Sequence, residues 1–249
     1  MNNNDIAFFI GLLEGDGSIQ VNHWREKYLQ FRVVIKLKYT EKNHEMLSEI
    51  RNQLDMFNIH VRNNCVLLVE DNQQKLKRFI KLVNLFGGLL LTKCRKRFCF
   101  FEYALVNKIT VSEYTAIKNN PTWFGYNKIK PFNVNELINR ACFNDWLIGF
   151  FEAESCFCIR KNNNHSFSIG QKGELEVINA IKHKFLMPNK VQCKSNDFFL
   201  IETYNRVCLN RIIIFCDNKL KGQKHIQYLE FSKISVVSKL HHMQGTLKD

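Results

Sequence analysis

Hydrophobic and polar positions along this 249-residue chain follow two periods, and both halves use them in the same order. Apolar residues at helical spacing are followed by alternation, which predicts a helix and then a two-stranded hairpin. In the first half, the apolar run 8–19 is followed by strands at 18–24, 28–38 and within 60–70, and by helices at 41–57, 72–86 and 95–108. In the second half, the run 146–157 is followed by strands at 155–161, 165–171 and within 190–203, and by helices at 173–186, 205–217 and 223–240. We therefore expect two αββαββα units, each with an extra terminal helix.

Turn signals and a linker divide the chain further. Short polar segments mark the expected turns of the four hairpins, at 25–27, 63–64, 162–164 and 195–197. Residues 109–142 hold two of the three prolines, Pro121 and Pro131, and the segment NNPTWFGYNK. Because proline and glycine break regular structure, we predict a first repeat over 1–118, a linker over 119–142 and a second repeat over 143–249.

One twelve-residue pattern occurs twice, as FFIGLLEGDGSI starting at residue 8 and as WLIGFFEAESCF starting at residue 146. Each copy has a glycine at the same phase, a glutamate three residues later and a second acid two residues beyond it. An internal repeat of this kind predicts two copies of one structural unit. We expect a pseudo-twofold molecule in which the two acidic ends meet near the axis.

Small residues line one side of each motif helix, Gly11 and Gly15 in the first copy and Gly149 and Ala153 in the second. Glycine inside a helix costs about 0.5–1 kcal/mol relative to alanine, and close packing of two helices along i±4 rows is a reason to keep it. One copy alone would favour an ordinary core helix that ends in a glycine cap. Two copies in phase favour a helix pair with these four residues at its interface.

The second acid of each motif, Asp16 or Glu154, falls where its helix should end. Carboxylates are unfavourable at the negative end of a helix dipole, and two like charges that approach each other raise the cost of ionising both. A divalent cation relieves both penalties, and Mg²⁺ suits a small wet site with one or two carboxylates. The pattern therefore predicts a Mg²⁺ site, which Mn²⁺ or Ca²⁺ can also occupy.

The charge balance adds a partner. The net charge is +13 and the pI about 9.3, which indicates a polyanion as ligand, although a basic solvated surface without a ligand gives the same composition. A membrane partner is not expected, because no apolar run approaches 18 residues. The nine cysteines lack zinc-ligand spacing and are interpreted as reduced thiols.

These motifs resemble those of the two-repeat LAGLIDADG homing endonucleases, and most of all the fungal mitochondrial intron-encoded type. FIGLLEGDG and LIGFFEAES match the motif that names the family. The resemblance covers nearly the whole chain and implies an α+β fold, in which the two motif helices pack together and two antiparallel sheets form a DNA-binding saddle. It also implies a monomer that needs no membrane.

The same resemblance implies a function: Mg²⁺-dependent hydrolysis of both strands of a long, nearly non-palindromic double-stranded DNA target, which promotes intron mobility. Two alternatives remain open from the sequence, an RNA-binding maturase that assists splicing of its host intron and a non-catalytic DNA-binding regulator. The Asn-, Lys-, Ile- and Phe-rich composition is typical of an AT-rich genome. We therefore expect an organelle-encoded protein without an import signal, made in the mitochondrion or, as the alternative, the chloroplast.

Polar and basic side chains on the expected hairpins are the candidates for DNA contact. A two-stranded ribbon fits the major groove, where Arg, Lys, Gln and Asn read base edges. Any one of these residues is equally compatible with an ordinary solvated strand, but the set on two symmetric ribbons favours DNA contact. The candidates are Gln20, Asn22, Lys36, Lys38, Arg62, Asn63, Arg160, Lys161, Ser168, Lys172, Lys190, Gln192, Lys194 and Asn196.

The resemblance further implies a basic residue and a glutamine beside each acid, and the two halves differ here. In the second half Lys224 and Gln171 take these positions, and in the first half Cys94 and Leu37 stand there. Lys93 and Lys96 flank Cys94, and either lysine is a candidate substitute, although the stretch KCRKR is equally compatible with a phosphate-contacting or solvated segment. The backbone carbonyls of Gly15 and Ala153 are expected to complete the metal coordination. One strand of the DNA is therefore expected to be cut more slowly.

Overall fold

Two helix–hairpin–helix–hairpin units follow one another in the computed structural model, which describes residues 3–118, 120, 128–160 and 164–233. The first unit contains α1 (Asn3–Asp16), β1 (Gly17–Trp24), β2 (Tyr28–Lys38), α2 (Glu41–Leu54), β3 (Asn58–Arg62), β4 (Cys65–Glu70), α3 (Gln73–Phe86), α4 (Thr92–Val106) and α5 (Val111–Lys118). After α6 (Val134–Ile138), the second contains α7 (Phe143–Glu154), β5 (Ser155–Ile159), β6 (His165–Lys172), α8 (Leu175–Phe185), β7 (Gln192–Lys194), β8 (Phe198–Thr203), α9 (Arg206–Cys216) and α10 (223–233). This confirms the predicted α+β fold.

Each unit has one four-stranded antiparallel sheet, with strand order β1-β2-β4-β3 in the first and β5-β6-β8-β7 in the second. One face of each sheet is apolar and packs on the helices, through Phe31, Val33 and Ile35 in β2 and through Phe167 and Ile169 in β6. The opposite face has no covering layer among the described residues. Antiparallel sheets tolerate this arrangement because alternate side chains separate a dry face from a wet one.

Several boundaries differ from the sequence prediction. Helix α2 ends at Leu54 rather than at residue 57, because Asp55 takes a left-handed conformation with φ 49° and closes the helix end. Strand β7 is only three residues long, and a 3-10 turn at Ser195–Asp197 follows it. Helix α6 lies inside the segment 119–142, and a reciprocal capping box between Asn133 and Glu136 begins it.

The hairpin turns at 63–64 and 195–197 lie where they were expected, and Asn63 and Asn64 have the positive φ values that a tight two-residue hairpin needs. The expected turn at 162–164 and the helix beyond residue 233 fall partly outside the described residues. Across those residues, no helix has both the length and the apolar character that a bilayer-spanning segment requires.

Candidate active site and nucleic-acid face

The two motif helices, α1 and α7, pack backbone to backbone. A methyl group added to Gly11 would lie 1.9 Å from the carbonyl oxygen of Trp146, and one added to Gly149 would lie 1.9 Å from that of Phe8. Nearer the helix ends, a methyl group on Gly15 would lie 2.3 Å from the Cβ of Ala153. Small residues are therefore required along this contact, and the contact brings together the C-terminal ends of both helices.

Asp16 and Glu154 are the last residues of α1 and α7. Burial raises the pKa of Asp16 to about 6, which Lys224 opposes and Glu152 reinforces. Burial and the charge of Asp16 raise the pKa of Glu154 to about 7, against the influence of Gln171 and Lys224. The two carboxyl groups therefore repel each other when both are ionised.

The chemistry of this donor set fits a hard cation. Two carboxylates that repel each other would be the side-chain ligands of the cation, and Mg²⁺ and Ca²⁺ both bind oxygen ligands. Among the described residues, no group of three or more His, Cys, Asp and Glu side chains forms a metal site. A site for zinc or another nitrogen- and sulfur-seeking metal is therefore absent from that part of the chain.

The first acid of each motif anchors a loop, a role that the sequence reasoning missed. Glu14 is buried and accepts hydrogen bonds from the backbone N–H groups of Leu90 at 2.9 Å and Leu91 at 2.7 Å, and from Nε1 of Trp146 at 2.7 Å. Its pKa is raised to about 8, chiefly by burial. Glu14 thus holds the loop that leads into α4, and its contact with Trp146 links the two halves.

Glu152 repeats this arrangement in the second half. It is buried, and it accepts hydrogen bonds from the backbone N–H groups of Lys221 at 3.1 Å and Lys224 at 3.0 Å. The signal for both loop anchors was present in the sequence, because each motif has a glutamate at the same phase among apolar neighbours.

Lys224, in the first turn of α10, lies beside the acid pair. Its ammonium group donates a hydrogen bond to the backbone carbonyl of Ser155, the first residue of β5, and its charge lowers the pKa of both Asp16 and Glu154. The hydroxyl of Ser155 donates to the carbonyl of Phe151 at 2.6 Å. The serine that replaces the motif glycine therefore closes the end of α7.

Cys94 takes the corresponding place in the first half, in the first turn of α4. Its thiol donates to the backbone carbonyl of Glu14 at 3.7 Å, and burial raises its pKa above the usual range for a thiol. Among the described residues, neither Lys93 nor Lys96 makes a hydrogen bond or an ion pair with the acid pair. Neither of these two lysines therefore pairs with the acids as Lys224 does.

Gln171 is the second residue that distinguishes the halves. Its Nε2 donates to Oε1 of Glu154 at 3.2 Å, and its Oε1 accepts the backbone N–H of Lys172 at 2.9 Å, which fixes the orientation of the amide. By strand register the equivalent residue in the first half is Leu37, which packs against the core. One acid of the pair therefore has a side-chain amide partner in its sheet, and the other has an apolar neighbour.

The uncovered face of the first sheet collects most of the residues proposed for DNA contact in that half. Strand alternation and register place Gln20, Asn22, Lys36, Lys38 and Arg62 on this face, with Asn63 in the adjoining turn. The same register adds residues that the sequence reasoning missed, namely Gln30 opposite Asn22, Arg32 opposite Gln20, and His60. Alternation within single strands already indicated them, because Gln30 and Arg32 lie an even number of residues from Lys36, and His60 lies two residues from Arg62.

The second sheet has a different set of polar residues, but like the first, where Arg32 pairs with Asp71 at 3.3 Å, it includes one paired arginine. Its uncovered face holds Ser168, Lys172, Gln192 and Lys194, with Lys190 and Asn196 in flanking loops. Arg160 also follows this face, but its guanidinium pairs with Glu202 at 3.0 Å and donates to the hydroxyl of Tyr204. Lys161 lies outside the described residues.

Comparison with known proteins agrees with this geometry. The family model described as LAGLIDADG endonuclease matches residues 9–105 and 147–235, which is one match for each half. The probable intron-encoded endonuclease aI3 of Dictyostelium citrinum is 32% identical over 241 residues, which cover 90% of this chain and 92% of that protein.

Solved structures share the fold. The LAGLIDADG meganuclease I-CpaMI, bound to uncleaved DNA, superposes with a TM-score of 0.74 at 18% identity, over 95% of this chain and 92% of the other. I-SmaMI, bound to an uncleaved DNA target in the presence of calcium ions, superposes with a TM-score of 0.69 at 15% identity, over 97% and 93% of the two chains. Together with the matched repeats and the paired motif helices, these similarities show that the chain belongs to the LAGLIDADG endonuclease family.

Proposed function

We propose that this protein is a site-specific homing endonuclease, which hydrolyses both strands of a long, nearly non-palindromic DNA duplex with Mg²⁺ and thereby promotes intron mobility. The observation that carries the proposal is the acid pair. Asp16 and Glu154 end two helices in backbone contact, and their raised pKa values mark a site that gains from a cation. Because one chain contains both halves of the site, we propose that it acts as a monomer.

Recognition of DNA is assigned to the uncovered faces of the two sheets. The first sheet offers side chains that donate to and accept from base edges, with Lys36, Lys38 and Arg62 available for phosphates or guanine. The second sheet differs in sequence at the matching positions, and its Arg160 is already paired with Glu202. Two unlike reading surfaces favour a target whose two half-sites differ, which is a non-palindromic duplex.

The metal would be held by the carboxylates of Asp16 and Glu154, with the carbonyls of Gly15 and Ala153 as further oxygen ligands. A divalent cation supplies Lewis acidity: it lowers the pKa of water and stabilises charge on phosphoryl oxygens. In the hydrolysis itself, water adds to phosphorus and the bond from phosphorus to the leaving sugar oxygen breaks. The leaving oxygen gains a proton.

Side chains around the pair then have separate tasks. The backbone N–H of Lys224 donates to Glu152, and its ammonium group donates to the carbonyl of Ser155. Lys224 thereby places a positive charge beside the acids, where it stabilises negative charge on a phosphate. One N–H of the Gln171 amide donates to Glu154. The second N–H of the same amide is the donor that orients a water molecule. Cys94 and Leu37 supply neither function, and the two strands are therefore expected to be cut at different rates.

The test begins with a target. A randomised duplex pool is selected for binding in Ca²⁺, and the recovered sequences are incubated with Mg²⁺. We expect double-strand cleavage by the wild-type protein and none by Asp16→Asn or Glu154→Gln, with DNA affinity within about tenfold of wild type, which is roughly 1.4 kcal/mol. Full double-strand cutting by either variant would refute the assignment of the acids.

The same assay tests the intron maturase, the second candidate. Duplex binding without cleavage in Mg²⁺, together with tighter binding of structured intron RNA at equal salt, would favour that function. Salt must be matched because phosphate contacts dominate affinity in both cases. We also propose that the protein is located in the mitochondrion, because its Asn-, Lys-, Ile- and Phe-rich composition is typical of proteins encoded by an AT-rich genome.

A further inference from the structure

The two helices next to the acid pair each receive a hydrogen-bond acceptor from the opposite half of the molecule. In α4, the backbone N–H of Lys93 donates at 3.0 Å to Oε1 of Glu174, which lies just before α8. In α10, the backbone N–H of Gln223 donates at 2.8 Å to Oδ1 of Asn43 in α2. The exchange is reciprocal, because each half supplies one acceptor and receives one.

Neither helix has a capping side chain of its own. The residue before α4 is Leu91, which makes no side-chain capping bond, and the residue before α10 is Gly222. Asn72 caps α3 and Asn205 caps α9 through their side chains, whereas α7 and α8 also begin without a side-chain cap. The first N–H groups of a helix have no partner within the helix, so the distant acceptors supply partners that α4 and α10 do not receive from their own first residues.

Both acceptors are buried and held in place. Asn43 is 7% exposed, and its Nδ2 donates to the carbonyl of Lys38 at 2.9 Å, which turns Oδ1 toward α10. A methyl group on Gly222 would lie 2.6 Å from Oε1 of Glu152 and 2.7 Å from Oδ1 of Asn43. The two oxygens thus converge on one backbone segment, and one oxygen comes from each half.

We propose that Asn43 is a positioning residue for Lys224, so that the first half of the chain sets the place of the basic group in the second half. The backbone of Lys224 follows directly on the N–H that Asn43 accepts, and its own N–H is held by Glu152. Loss of the Asn43 oxygen frees the first turn of α10. The lysine ammonium then loses its fixed position beside the acids, although it remains in the chain.

This inference rests on the proposed cleavage reaction, and its test separates the two. Single-turnover cleavage is measured with each DNA strand labelled separately for the wild type, Asn43→Ala, Lys224→Met and the double variant. The strand that Lys224→Met slows more is the reference strand. We expect Asn43→Ala to slow the reference strand about tenfold, to leave the other strand and the Kd within about twofold, and to add less than about twofold in the Lys224→Met background.

A matched control and a rescue complete the design. Asn205→Ala removes the capping asparagine of α9, whose described residues make no hydrogen bond or ion pair with Asp16 or Glu154, and it should leave the strand ratio unchanged. Asn43→Asp keeps an acceptor oxygen but loses the Nδ2 bond to the carbonyl of Lys38, so its strand ratio should lie nearer the wild type than that of Asn43→Ala. Equal slowing of both strands by Asn43→Ala, or its full effect on top of Lys224→Met, would overturn the positioning role.

A readout without DNA guards against a failure of the proposed function. Hydrogen exchange of the segment 221–226 should be faster in Asn43→Ala than in the wild type and unchanged in Asn205→Ala. Unchanged exchange in Asn43→Ala overturns the inference whether or not the protein cleaves DNA. Faster exchange combined with no cleavage by the wild-type protein instead refutes the proposed function and leaves the contact with α10 established.

Discussion

The contact between α1 and α7 provides the sharpest test of the architecture, because two glycines there meet different kinds of atom. In Gly11→Ala the new methyl group would lie 1.9 Å from a backbone oxygen of Trp146. In Gly15→Ala it would lie 2.3 Å from the side-chain methyl group of Ala153. No change of side chain relieves the first clash, whereas Ala153→Gly removes the second.

The magnitudes decide the sign of each effect. Replacing a glycine inside a helix by alanine stabilises the helix by about 0.5–1 kcal/mol. Against this, overpacking a core contact costs about 1–3 kcal/mol and more where backbone must move. Relieving the 1.9 Å contact requires the helices to separate by about 1 Å. We therefore expect Gly11→Ala to lower the free energy of unfolding by at least about 2 kcal/mol, and Gly15→Ala to lower it by about 1–2 kcal/mol.

Equilibrium urea unfolding in EDTA measures these differences, with the set Gly11→Ala, Gly15→Ala, Ala153→Gly and the double variant Gly15→Ala/Ala153→Gly. The double variant moves one methyl group from one helix to the other, so its stability should return to within about 1 kcal/mol of wild type, and the coupling between the two sites should exceed about 1 kcal/mol. A Gly11→Ala protein as stable as the wild type would refute backbone contact between the motif helices. Strictly additive effects at Gly15 and Ala153 would refute their contact.

Three further predictions concern the acid pair and its neighbours. Without metal, Glu154→Gln should equal the wild type in stability below pH 4.5, the ordinary pKa of the Glu154 carboxyl, and exceed it above pH 7 by roughly 1–2 kcal/mol after solvent screening, because burial and the charge of Asp16 both disfavour the ionised Glu154 of the wild type. The same dependence of stability on pH in both proteins, from pH 4.5 to 8 in EDTA, would contradict this. Lys224→Met should slow the two DNA strands unequally, by on the order of 10²–10³ on the affected strand; equal, unaltered strand rates would reduce Lys224 to a bystander. Cys94→Lys should speed the slower strand in the same single-turnover assay, and an unchanged rate would indicate that Lys93 or Lys96 already serves it.

Local patterns predicted the parts of this fold that local forces determine. Period and turn chemistry placed the hairpins and the main helices of both halves, although α5 and α6 were not predicted. The doubled motif placed Gly11 and Gly149 where the helices meet. Failures occurred where a partner lies far along the chain. Helix α4 begins at Thr92 rather than at residue 95, where Glu174 of the other half supplies the acceptor for its first turn.

The missed residues of the candidate site have two origins. Arg32 and His60 were overlooked although strand alternation places them on the same face as Lys36 and Arg62, and the cross-strand register agrees with it. Glu14 and Glu152 were visible as repeated letters of the motif. Their role depends on the loops that they hold, which begin about 70 residues further along the chain in each half.

The two halves agree where α1 and α7 meet and differ beside the acid pair. Gly11 and Gly149 each contact the backbone of the other helix, so a larger side chain in either half disturbs both. At matching positions, Lys224 donates to the carbonyl of Ser155 and Cys94 to that of Glu14. A dimer of identical chains would have to place the same residue at both positions. A single chain with two repeats is free of that constraint, and this chain differs between its repeats at Lys224 and Cys94, the positions that we propose serve different DNA strands.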